Sequence, residues 1–374
     1  MRNNKARNFA KWVWLCLAII VATYDSHSQA AEKENAGSRS FTYLSLGGKK
    51  KAIAVYQMSD EDGSLKPVVE QPLEQPGPLT LDAKRRRLYA VNYPDKIHTY
   101  EIDPDSGHLK SLGQIRLPGQ PEYISLDRDS QYLMAAIYSK HQIVVCRLDK
   151  QGIPQTDQLQ TLDSGRLPHS ILADRHNRFV YVPCKGSNQI FQYAWDENGN
   201  GLLPKSVARH ATPKGAGPRH LWFHPNKDWL YVVNESDRTL AFYRIAPDDG
   251  ALHPVQTVAT VPEGVLKGSG AHIQLTPNGR FVYSSNRGEE TIAGFAIDQK
   301  SGELKSLGQS ATARGPRAFC IDPSGRFLLA GGTSDGRVVV HAIDQESGQT
   351  KMKQSYETGG SPVWVEIISF KRGS

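Results

Sequence analysis

The chain has 374 residues, 39% of them hydrophobic, with 33 Gly, 22 Pro and a formal charge of +7. A single ordinary core stops growing near about 250–300 residues, so this length calls for two domains or for a repeat fold in which each unit buries its face on the next. The positive surplus is small and scattered: residues 1–30 carry +3 of it, and Lys49-Lys50-Lys51 and Lys84-Arg85-Arg86-Arg87 fall in turns between strands, which argues for solvated loops and against a nucleic-acid partner.

In chain order, the first feature is a leader. Residues 2–11 hold Arg2, Lys5, Arg7 and Lys11, residues 12–23 are mostly apolar, and Ser28-Gln29-Ala30 offers small residues at the two positions a signal peptidase recognises. The expectation is a signal peptide over 1–30 cleaved after Ala30, a linker over 31–40, and a periplasmic or secreted mature protein with no stable membrane association. The alternative is an uncleaved amphipathic anchor. The apolar run is short for a bilayer span. Cys16 lies inside it, ahead of any small-residue cleavage site, unlike a lipoprotein cysteine.

From residue 41 onward the chain repeats. An apolar strand, a tight turn and a second apolar strand recur, most clearly around Thr276-Pro277-Asn278-Gly279-Arg280 and Asp322-Pro323-Ser324-Gly325-Arg326. Weaker copies start at Asp82, Asp127, Asp174 and His224, so successive steps are 45, 47, 50, 52 and 46 residues. Proline presets one turn dihedral and glycine takes the positive one. Each copy continues with strands of period two, such as 239–245, and an Asp- and Gly-rich hairpin such as Asp248-Asp249-Gly250. That period is one four-stranded propeller blade.

Seven blade openings are present, at Gly77-Pro78, Gln120-Pro121, Leu167-Pro168, Gly217-Pro218, Ser269-Gly270, Gly315-Pro316 and Ser361-Pro362. The last, with its strand 364–367, has no hairpin after it, and the first hairpin set, from Phe41, has no opening before it. The expected fold is all-β: a seven-bladed β-propeller over 41–370, with four-stranded antiparallel blades and a ring closed by the C-terminal strand, which leaves no open sheet edge.

Beyond the leader only Cys146, Cys184 and Cys320 remain, far apart and in strand-like runs. They read as buried thiols, with neither a disulfide framework nor a zinc motif.

In such a ring the first strand of each blade lines the central channel, and the residues ahead of it meet at one rim. Leu79, Glu122, His169, Arg219, Ala271, Arg317 and Val363 occupy that place, followed by Thr80, Tyr123, Ser170, His220, His272, Ala318 and Trp364. Each blade's second strand ends in a loop over the same rim, which adds Glu235 and Arg287 from the matching pairs Asn234-Glu235 and Asn286-Arg287. The Asn234-Glu235-Ser236 sequon is taken as coincidence at a strand end. Widely separated charges thus form one cationic cluster. It suits acyl transfer to water, with Glu235 or His169 as the base and Arg219 and Arg287 holding an oxyanion, or a carboxylate or phosphate of the substrate. Some of these arginines would otherwise serve as blade-bridging ion pairs. No metal or other cofactor is expected, because close-spaced ligand pairs, a phosphate loop and a nucleophile elbow are missing from the sequence; a metal held by the three histidines and a glutamate converging from different blades is the alternative.

The segment Gly215-Ala216-Gly217-Pro218-Arg219-His220-Leu221-Trp222-Phe223-His224-Pro225, with Tyr231-Val232-Val233-Asn234-Glu235, His272-Ile273-Gln274-Leu275-Thr276-Pro277 and Ser285-Asn286-Arg287, resembles the lactonase family of seven-bladed propellers. That family includes propeller-type 6-phosphogluconolactonases and carboxy-cis,cis-muconate cyclases, and the resemblance runs over 41–367. It implies a lactonase acting on a small anionic lactone, a monomer, with His169, Arg219, Glu235 and Arg287 as the catalytic set. His220, Arg317, His272 and Glu122 stand beside them as substrate-binding residues. A muconate-type lactonising cyclase and a non-catalytic binding propeller are the alternatives. Two features depart from the family pattern. The leader is at odds with the cytoplasmic sugar-phosphate enzymes, so the resemblance implies ancestry more than a phosphorylated substrate. Pro183-Cys184-Lys185-Gly186 replaces a stretch that often carries an acidic or apolar residue.

Overall fold

A computed structural model of the chain describes residues 38–371, apart from 197, 204–207 and 266. The expected signal segment, 1–30, lies outside the described residues. The chain groups into two units, Met1–Arg39 with Ser369–Ser374, and Ser40–Ile368. The second is the propeller. Among the described residues no helix is long and apolar enough to cross a membrane.

The described strands form seven four-stranded sheets. Blades 2 to 7 each use four consecutive strands, beginning with Pro76–Asp82, Pro121–Leu126, Leu172–Ala173, Pro218–Phe223, Ser269–Leu275 and Pro316–Ile321. Blade 1 is composite: Ser361–Lys371 is the innermost strand, followed by Ser38–Gly47, Ala52–Met58 and Leu65–Pro72. Ring closure by the C-terminal strand is therefore as the sequence predicts. The seam is packed like the others, with Leu44, Ala54 and Tyr56 of blade 1 against Leu329, Val338 and Val340 of blade 7.

Burial explains the strand sequences. The second strand of blade 5, Trp229–Asn234, is buried at every position because both faces meet other blades. The outermost strand, Leu252–Ala259, has only its first residue fully buried and is polar. A blade is thus hydrophobic at its centre and wet at its outer edge.

Two side-chain devices recur. At the turn between first and second strands a polar side chain caps backbone N–H groups: Asp174 Oδ1 accepts from Arg178 N at 2.7 Å, and Thr276 Oγ1 accepts from Phe281 N at 3.1 Å. Between blades, a second-strand tyrosine donates to a glycine carbonyl in the next blade's hairpin. Tyr43 to Gly107 (3.0 Å), Tyr89 to Gly152 (2.6 Å), Tyr181 to Gly250 (2.6 Å), Tyr231 to Gly302 (2.8 Å) and Tyr283 to Gly348 (2.6 Å) are five such bonds. Each satisfies a buried hydroxyl and is worth about 1 kcal/mol. The hairpin glycine must be a glycine: at Gly302 φ is +83°, and a Cβ would collide with the rings of Phe242 and Trp229.

The three cysteines outside the leader are buried free thiols. Burial pushes the Cys146 thiol up to about 11 and the Cys184 thiol up to about 12. Asn234 of the sequon is fully buried, with its amide donating to Thr239 at 2.8 Å, so it is no glycan acceptor in the folded chain.

Candidate active site at the channel rim

Innermost strands start at the rim, and the second strands end there. In blade 5, Gly217 adopts φ +66° just ahead of Pro218 and turns the chain into the strand that carries Arg219. The neighbouring loop is pinned by backbone bonds from Glu235 N to Gly217 O (2.8 Å) and from Gly270 N to Glu235 O (3.0 Å). Glu235 is thereby fixed between blades 5 and 6, over the channel.

Its carboxylate is the hub of the site. Lys185 Nζ donates to Oε1 at 2.8 Å, Arg287 Nη2 lies 3.1 Å from Oε1, and Arg219 Nε lies 3.1 Å from Oε2. His169 Nε2 is 3.9 Å from Oε2. Burial by itself would raise the Glu235 carboxyl, but Arg219, the Lys185 hydrogen bond and Arg287 together hold it below the usual carboxylate value. Glu235 is an anion that organises three cations.

Arg219 is only 1% exposed and also donates through Nη1 to the Ala271 carbonyl. Burial and the nearby Arg317 and Arg287 charges depress its pKa, while Glu235 and Glu122 oppose this. A guanidinium keeps its proton regardless, so Arg219 is a desolvated cation. The Arg219 Nε contact with Glu235 is a close ion pair outside hydrogen-bond angles: Arg219 Nε, Arg287 Nε and His169 Nδ1 are all buried without a hydrogen-bond partner among the described residues. Unmet polar atoms gathered at one spot are expected where a ligand binds.

His169 is neutral. Burial first, then Arg219 and Arg317, drive its pKa well below the usual histidine value. Across the rim, Arg317 Nη2 pairs with Glu122 Oε2 at 2.9 Å, and Gln120 Nε2 donates to Glu122 Oε1 at 3.1 Å. The rim therefore sets four cations, Lys185, Arg219, Arg287 and Arg317, against two carboxylates, Glu122 and Glu235.

The ring geometry brings His169, Arg219, Glu235 and Arg287 together, with Glu122 and Arg317 beside them. His220 and His272 lie one layer deeper. Their Nδ1 atoms are 2.8 Å apart, and their rings stack edge-on with Tyr123, Trp364 and Phe319. Burial and then Arg219 push His272 down to about 3 and hold His220 well below its usual value, so both are neutral rings plugging the channel. Among the described residues no group of His, Cys, Asp and Glu is arranged to hold a metal ion.

Lys185 is a rim residue missing from the sequence-derived set. Cys184 pairs with Gln189 just as Asn234 pairs with Thr239 and Asn286 with Thr291, so Lys185 is the blade-4 equivalent of Glu235 and Arg287. Strand alignment would have found it. A 3-10 turn over Lys185–Ser187 carries it into the rim, and the matching turn Tyr138–Lys140 sets Tyr138 edge-on to His169 at 5.3 Å.

The model of the seven-bladed β-propeller lactonases matches residues 30–367. The chain belongs to the lactonase family. The 6-phosphogluconolactonase of Pectobacterium carotovorum is 34% identical over 304 residues, covering 80% of this chain and 91% of that one. The 6-phosphogluconolactonase of Serratia proteamaculans is 35% identical over 323 residues, covering 85% and 96%. Among solved structures, the Pseudomonas aeruginosa periplasmic gluconolactonase superposes with TM-score 0.80 at 27% identity, covering 88% of this chain and 99% of that one. The lactonase propeller thus spans nearly all of the described chain.

Proposed function

We propose that this lactonase-family protein opens a sugar-type lactone, with His169 as the base that takes a proton from water. The carrying observation is the division of labour at one carboxylate: Glu235 is clasped by Lys185, Arg219 and Arg287, while a neutral imidazole stands 3.9 Å away. Neighbouring cations lower the pKa of both groups, but those cations occupy the carboxylate oxygens, whereas the neutral imidazole keeps a ring nitrogen in no hydrogen bond to take a proton. Water attacks the lactone carbonyl carbon as its proton passes to the imidazole. The rim cations hold the oxyanion that forms. The ring C–O bond then breaks, and the departing alkoxide takes the proton from His169. The product is a hydroxy acid, whose new carboxylate the same cations accommodate.

The two-cation surplus favours a substrate that carries or develops negative charge. A periplasmic relative named a gluconolactonase, together with the leader-like residues 1–30, supports action outside the cytoplasm on an unphosphorylated sugar or uronate lactone. The relatives named 6-phosphogluconolactonase make the phosphorylated lactone the comparison substrate.

The test is kcat/KM against pH for both substrates, corrected for spontaneous ring opening. The acid limb is expected below pH 6.5, because His169 is held below that value. His169→Ala is expected to lose about 10²-fold or more and to abolish the limb. A limb above 6.5, or a variant as fast as the parent, would remove His169 from the chemistry.

A further inference from the structure

The channel has a second mouth. Side chains alternate along a strand, so the next channel-facing layer lies two residues beyond the ring plug. Past His220, His272 and Trp364 come Trp222, Gln274 and Glu366, one each from blades 5, 6 and 1. They line a cavity of about 410 Å³ that also takes in Thr80, within the ~300–1,000 Å³ range of small-molecule sites. The stacked rings of His220, His272, Tyr123 and Trp364 separate it from the rim.

Its polar groups are partly committed and partly free. Gln274 Oε1 accepts from Ile321 N at 2.8 Å, which fixes the amide and sets its NH₂ beside the Cys320 thiol with a second hydrogen to offer a ligand. Trp364 Nε1 donates to Glu366 Oε1 at 2.9 Å, which fixes the carboxyl and leaves Oε2. Neither the Thr80 hydroxyl nor the Trp222 indole N–H bonds to another of the described residues. Of the charges lining the mouth, Asp82 pairs with Arg85 at 2.8 Å, Asp127 accepts from Gln131 N and Tyr132 N, Arg128 Nε donates to the Asp174 carbonyl at 3.1 Å, and Lys84 is exposed to solvent. Recognition there falls to hydrogen bonds and an indole surface. Burial raises the Glu366 carboxyl to about 7, so near neutrality it can donate or accept a proton in a hydrogen bond.

We infer that this far-mouth cavity is a second binding site, for a neutral polyhydroxylated molecule of the aldose type. Its hydroxyls engage Gln274, Thr80 and Glu366, and its apolar face lies by Trp222. Ionised Glu366 repels an aldonate, so the site takes a neutral sugar and rejects the charged hydroxy acid.

The experiment is titration of the folded protein at pH 8 with D-glucose and with D-gluconate, read by calorimetry and tryptophan fluorescence. Glucose is expected to saturate in the millimolar range, with gluconate at this mouth at least about tenfold weaker. Trp222→Ala and Thr80→Val should each weaken glucose by several-fold or more while leaving lactone hydrolysis intact. Arg287→Ala, at the rim, should leave glucose binding unchanged, and gluconate is titrated into this variant to remove the rim contribution. The near-isosteric Thr80→Val guards against misfolding as the cause. No saturable glucose binding up to roughly 100 mM, loss of glucose binding in Arg287→Ala but not in Thr80→Val, or gluconate as tight as glucose would each overturn the inference.

Discussion

Replacing Glu235 by Gln leaves Lys185, Arg219 and Arg287 without their common counter-ion and points amide hydrogens at cationic donors. The cost falls unevenly. Lys185 and Arg287 have side chains 26% and 25% exposed, so water compensates much of their loss. Arg219 has a side chain 1% exposed and cannot be rehydrated in place. Stranding one member of a buried pair costs about 3–5 kcal/mol. With about 2.1 cal mol⁻¹ K⁻¹ of unfolding entropy per residue, a propeller of this size should melt about 4–7 °C lower. An added anion should restore part of the loss, since sulfate or inorganic phosphate can sit among the stranded cations and stabilise the folded state by mass action. Thermal melts of Glu235→Gln and its parent across a phosphate series, at constant ionic strength, read both effects. The variant's melting temperature should climb more steeply with phosphate. A variant that melts with its parent and ignores phosphate would refute the view that Glu235 organises these cations.

The Glu366 carboxyl provides a pH test of the lower channel. Folded, it keeps its proton up to about 7, whereas its ordinary value is 4.5. Between those values the folded state binds more protons than the unfolded one, so stability present at low pH is lost as pH rises. At 1.36 kcal/mol per pH unit the full loss is about 3 kcal/mol, and water entering the cavity trims it to roughly 2. Glu366→Gln should match its parent near pH 4.5 and exceed it in melts at pH 8, and a difference independent of pH would contradict the assignment. At the blade seams, Tyr231→Phe removes the 2.8 Å bond to the Gly302 carbonyl and should cost about 1–2 kcal/mol. An unchanged melting temperature would show that these tyrosines do not hold the blades together.

Much of the fold was legible because a propeller is written locally. The turn copies at Asp174, Thr276 and Asp322 cap their own next strand, and the hairpin glycines are fixed by their own φ and a neighbouring ring. The rim was legible for the same reason: once the repeat is aligned, equivalent positions share one layer. Lys185 escaped because Cys184-Lys185 shares no residue with Asn234-Glu235 or Asn286-Arg287, although its strand register is the same. The depth of His220 and His272 escaped for another reason. One residue along a strand separates a charged rim position from a ring in the plug, and ring contacts across the channel join blades far apart in sequence.

The repeat period, the turn chemistry and the unpaired first and last strands determine from sequence that the chain closes into a seven-bladed wheel, because each rests on interactions within one blade or between neighbours. Which charges touch is decided only by the folded ring. Glu235 meets Lys185 from 50 positions away, and Arg317 reaches Glu122 across 195. Ion pairing in a channel depends on distances of a few ångströms and on the water excluded around them, and neither is set until the last strand closes the ring.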